Sequence, residues 1–89
     1  MAEPEFFRRT RGYAWNADII TAAHAARLLA EARAAGESDP GAGPVADGDG
    51  VRFVAGRVAG VGGMWVWLHP VARESVPPEV LERVQWESP

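Results

Sequence analysis

The chain has 89 residues, 47% of them apolar, with nine basic and twelve acidic side chains and no cysteine. That length allows one domain, 1–89, and the missing cysteines exclude a disulfide framework, a thiolate metal site and a cysteine nucleophile. A net charge of -3 argues against a general polyanion binder, so nucleic acid is not the expected partner.

Met1-Ala2-Glu3-Pro4-Glu5 is acidic where a secretory leader is basic. The uncharged run from Val58 to Leu68 is broken by glycines and falls well short of the roughly 20 apolar residues of a membrane-spanning helix. The expectation is a cytoplasmic protein without membrane contact. Every basic residue is arginine, which leaves no lysine for Schiff-base chemistry.

Residues 1–15 read as an arm or an edge strand. Within them Arg8, Arg9 and Arg11 lie among Phe6, Phe7, Tyr13 and Trp15, the mixture of cations and rings that can hold a nucleic-acid strand. The competing reading is a solvated segment whose arginines pair with acidic residues elsewhere.

From Ala17 to Ala35 the sequence lacks Gly and Pro and is rich in helix formers, which predicts a long helix with Asn16 as N-cap and Gly36 as its stop. At 100° per residue, Ile19, Ala22, Ala25, Ala26, Leu28, Leu29 and Ala32 share the apolar side, with His24, Arg27 and Glu31 opposite. Residues 37–50 carry Glu37, Asp39, Asp47 and Asp49 among glycines and prolines and read as a flexible acidic loop. Asp47-Gly48-Asp49-Gly50 lacks the closing glutamate of a calcium loop, and turn chemistry accounts for it.

After Gly50 the apolar period becomes two. Val51 to Val58 and Met64 to His69, separated by Gly60-Val61-Gly62-Gly63, predict an antiparallel hairpin with Ala59 opposite Met64. Phe53, Ala55, Met64, Val66 and Leu68 then share one face, and Val54, Val58, Trp65 and Trp67 the other, so both faces are apolar. A helix covers only one of them. Pro77 to Trp86 predicts a short C-terminal helix that forms on docking.

Trp65, Trp67 and His69 alternate along one strand and so point to the same side, where they form either a core surface or a platform for a small ligand. His24 and His69 have no third ligand at a compelling spacing, and no serine sits in a nucleophile motif, so neither a metal, a cofactor nor an enzyme is expected. The expected fold is a small two-layer α+β domain: a long N-terminal helix on an antiparallel hairpin, three-stranded if residues 6–15 add a strand, with a short C-terminal helix. The expected role is a protein-interaction or assembly factor that self-associates, as a dimer, through the hairpin face of Trp65, Trp67, His69, Val54 and Val58 and the alanine-rich helix. A small-ligand module on that Trp/His face is the alternative, and strand binding by Arg8, Arg9 and Arg11 a more distant one.

Overall fold

A computed structural model describes residues 4–12, 16–56 and 62–84. In chain order the elements are β1 (Phe6–Arg11), β2 (Asn16–Thr21), α1 (Ala22–Ser38), β3 (Val45–Asp47), β4 (Gly50–Ala55), β5 (Met64–Val71) and α2 (Pro78–Arg83). Single 3-10 turns occupy Pro40–Ala42 and Arg73–Ser75. The five strands form one antiparallel sheet in the order β2-β1-β5-β4-β3, with β5 in the middle. The class is α+β as expected, but the sheet has five strands rather than two or three.

Residues 6–11 are neither an arm nor an edge. They pair with β2 on one side and β5 on the other, so β1 lies inside the sheet. Its partner β2 comes from the stretch expected to open the helix. Ile19, Ile20 and Thr21 are β-branched, which favours a pleated strand, and Ile20 is buried there. A cross-strand pair fixes the register: Arg9 stands opposite Asp18, and its Nε donates to Asp18 Oδ1 at 3.0 Å while a second nitrogen meets Oδ2. The helix therefore starts after Thr21, whose hydroxyl accepts from His24 N at 3.2 Å and caps it.

The helix also runs past Gly36 to Ser38, where the Asp39 N–H closes on the Ala35 carbonyl at 2.9 Å. Gly36 is needed for proximity rather than as a stop. A Cβ there would come within 2.9 Å of the Gly43 Cα, so the last turn packs backbone to backbone against the segment that follows it. Segment 37–50 holds a 3-10 turn, with Asp39 accepting from Gly41 N, and then β3. Gly48 and Asp49 form the two-residue turn from β3 to β4, and Gly48 supplies its positive φ of +61°.

In the β4–β5 hairpin, Ala55 rather than Ala59 stands opposite Met64, so the connection is longer than its glycines suggested. A displacement of four residues preserves parity, and the assignment of residues to faces is unchanged. Val58 and Arg57 lie outside the described residues, as do Tyr13, Trp15 and Trp86.

The core lies between α1 and one face of the sheet. Ile20, Phe53, Val66 and Leu68 meet Ala25 and Ala32, with Phe7, Leu28, Leu29 and Val51 packed around them. Small side chains on α1 let the helix lie close to the strands, while Ala26, placed by periodicity on the apolar side, is exposed. Burying side chains of this size contributes roughly 1.5–3 kcal/mol each for the larger ones. Among the described residues no helix is long and apolar enough to cross a membrane.

Candidate functional site: the uncovered face of the sheet

Strand alternation places Phe6, Arg8 and Thr10 of β1, Ile19 of β2, Arg52 and Val54 of β4, Val45 of β3, and Trp65, Trp67 and His69 of β5 on the face opposite α1. One end of this face is closed. After β5 the chain turns through Arg73–Ser75, sets the Arg73 guanidinium 5.9 Å from the centre of the Phe6 ring and ties it to Glu5 at 2.7 Å. Phe6 is fully buried, and Val76 in the same segment is also buried.

The other end is bare. Trp65 is 43% exposed and Val45 50%, large values for apolar side chains on a sheet. The Trp65 and Trp67 rings stack with centroids 6.2 Å apart and planes 30° from parallel, so the pair presents a continuous aromatic surface. Two residues apart on the middle strand, they have neighbours on both sides to hold their positions. Trp67 stands between Thr10 and Arg52, and Trp65 stands opposite Val54. Arg52 leans diagonally along its neighbour strand, placing its guanidinium 5.3 Å from the Trp65 ring centre.

His69 closes the row toward the covered end, between Arg8 and Gly50. It shares the face of the two tryptophans, as its spacing predicted. A Cβ on Gly50 would lie 2.8 Å from His69 Cδ2 and would collide with the Leu68 carbonyl, so the glycine makes room for the imidazole. His69 itself is half-buried.

The three N-terminal arginines do not act together. Arg8 is exposed on the tryptophan face, whereas Arg9 and Arg11 point to the α1 side. Arg9 is committed to Asp18. Burial pushes the Asp18 carboxyl up, but the Arg9 hydrogen bond and charge, with smaller help from Arg11 and His24, outweigh it and hold the group below its ordinary 3.8. The expected Arg8, Arg9 and Arg11 patch is therefore split by strand parity. In its place Arg52 lies over the Trp65 indole while Arg8 stands beside His69 on the same face, a joining of distant segments that only the order of strands creates.

Among the described residues no three of His, Asp and Glu gather closely enough to hold a metal ion. The open part of the face presents flat rings, two cations and a half-buried imidazole. No protein-family model, no curated protein and no solved structure matches the chain.

Proposed function

We propose that the chain is a non-catalytic binding module that seats a protein partner on the bare end of the sheet. The observation that carries this reading is the stacked Trp65–Trp67 pair, standing on the middle strand on the face opposite α1 with Trp65 43% exposed. Tryptophan and arginine are the residues that most often dominate binding energy at protein interfaces, and here they lie side by side in Trp65 and Arg52. Val45 and Val54 extend the apolar area, and Arg8 and Arg52 favour a partner whose apolar contact is flanked by carboxylates. A second copy of this chain docked face to face would set like charges toward one another, which argues for a different molecule.

A photo-reactive p-benzoylphenylalanine in place of Trp65, introduced in the cells that make the protein, tests this reading. The same probe at Ala34, exposed on α1, serves as the reference. A discrete adduct from position 65 that is absent from position 34 and lost with Arg52→Glu is the expected result. No adduct from position 65, or the same adducts from both positions, would overturn it.

A second reading follows from Arg52 over the Trp65 indole with Arg8 on the same face, since stacking rings beside cations also suit single-stranded nucleic acid. It requires salt-sensitive quenching of tryptophan emission by an oligo(dT), abolished by Arg8→Ala with Arg52→Ala.

A further inference from the structure

The two edges of the sheet are finished differently. β3 presents three residues and ends at a tight turn, a short edge of the kind that resists further pairing. β2 presents six residues, Asn16–Thr21, with no proline, no lysine and no bulge in its pairing with β1. Its one charge, Asp18, is already neutralised by Arg9.

The hydrogen-bond phase of this edge follows from the register. Ala22 N donates to the Glu5 carbonyl at 2.9 Å, one step beyond the Thr21–Phe6 pair. Antiparallel pairs alternate between bonded and non-bonded, so Ile20 with Phe7 and Asp18 with Arg9 are bonded pairs, and Ala17 and Ile19 turn their N–H and C=O groups outward. Beside this edge lies a cleft of about 630 Å³ lined by Arg9, Ala17–Thr21 and His24 together with Val80, Arg83 and Val84 of the C-terminal segment, so there is open space between β2 and α2. Among the described residues the outward backbone groups have no partner, and such an edge is a template for another strand.

We propose that β2 pairs with β2 of a second copy of this chain, antiparallel, with Ile19 opposite Ile19 of the second copy and Ala17 opposite Thr21. The register is self-complementary, because the outward residues of one strand meet the outward residues of the other about a two-fold axis. It sets Asp18, already held by Arg9, opposite Ile20 and brings no like charges into direct opposition. An axis perpendicular to the sheet makes a continuous ten-stranded surface with both α1 helices on one side. Both Trp65–Trp67 pairs then lie on the other, so dimerisation doubles the bare face without covering it.

Sedimentation equilibrium of the full chain across the micromolar range, with amide hydrogen exchange, tests the proposal. The wild type sediments as a dimer, and the Ala17 and Ile19 amides exchange more slowly as concentration rises. Ala17→Pro removes one outward N–H from an exposed residue that β1 does not use, so the variant keeps the circular dichroism of the wild type and sediments as a monomer. A wild type that stays monomeric throughout, a folded Ala17→Pro that still dimerises, or Ala17 and Ile19 amides that remain fast in a dimer would each overturn the proposal. If the proline variant loses its fold, the exchange of the wild-type amides decides alone. Access to Trp65 is unaffected by this pairing, so its failure and the failure of the partner-binding reading are read separately.

Discussion

The guanidinium of Arg52 lies 5.3 Å from the centre of the Trp65 indole, reaching across from the neighbouring strand on the face opposite α1. The contact joins a cation to an exposed ring, so it orders the surface more than it stabilises the fold. Arg52→Ala is expected to cost about 0.5–1 kcal/mol in urea unfolding.

Core and surface tryptophans predict opposite outcomes on truncation. Leu68, directly within the sheet–helix core and fully buried, should lose roughly 2–5 kcal/mol on Leu68→Ala. Trp65→Ala should cost less, roughly 1–2 kcal/mol, because the residue is 43% exposed and loses only its stack on Trp67, the Arg52 contact and partial burial, while removing the position-specific partner contact. Equal destabilisation by the two variants, measured by urea unfolding, would show Trp65 to be a core residue.

Helix propensity and packing disagree at Gly36. In an open helix Gly→Ala gains roughly 1 kcal/mol. Here the new Cβ would lie 2.9 Å from the Gly43 Cα, backbone that cannot rotate away, so Gly36→Ala lowers the melting temperature. Gly43→Ala, whose Cβ would sit 3.7 Å from the Gly36 Cα, is tolerated on contact grounds. Thermal unfolding of the two single variants checks the asymmetry.

Acid sensitivity should trace in part to Asp18. Its folded carboxyl is held below 3.8, so the Arg9 pair stabilises the fold above that pH and its contribution is lost as pH falls through the lower folded value. With the Asp18 side chain 40% exposed, solvent screening limits the contribution to about 1 kcal/mol or less. Asp18→Asn should therefore be less stable than the wild type at neutral pH, and the gap should close below pH 3.8. A gap that persists unchanged into acid would assign the loss to packing instead.

The two faces of the β4–β5 hairpin were legible because side-chain alternation survives an even displacement. Placing Ala59 rather than Ala55 opposite Met64 moved the loop but left Trp65 and Trp67 together and Val66 and Leu68 in the core. The first two strands were hidden by local signals that point elsewhere. Asn16 and Asp18 look like the start of a helix, and the alanine-rich stretch continues that impression, while the features that win are distant: the Arg9–Asp18 pair and burial of Ile20 against α1. β3 was masked by the composition around it, since Val45-Ala46-Asp47 sits among glycines and prolines and is held by pairing with β4. Nor can one segment reveal the joining of Arg8 to the tryptophan face, which depends on β1 lying beside β5.

The most direct test of the bare face is acrylamide quenching of a variant that keeps Trp65 alone, with Trp15, Trp67 and Trp86 replaced by phenylalanine and the fold checked by circular dichroism. Red-shifted emission that acrylamide quenches readily, though less than a free indole, is the predicted result, and blue-shifted emission resistant to acrylamide in the free protein would contradict it.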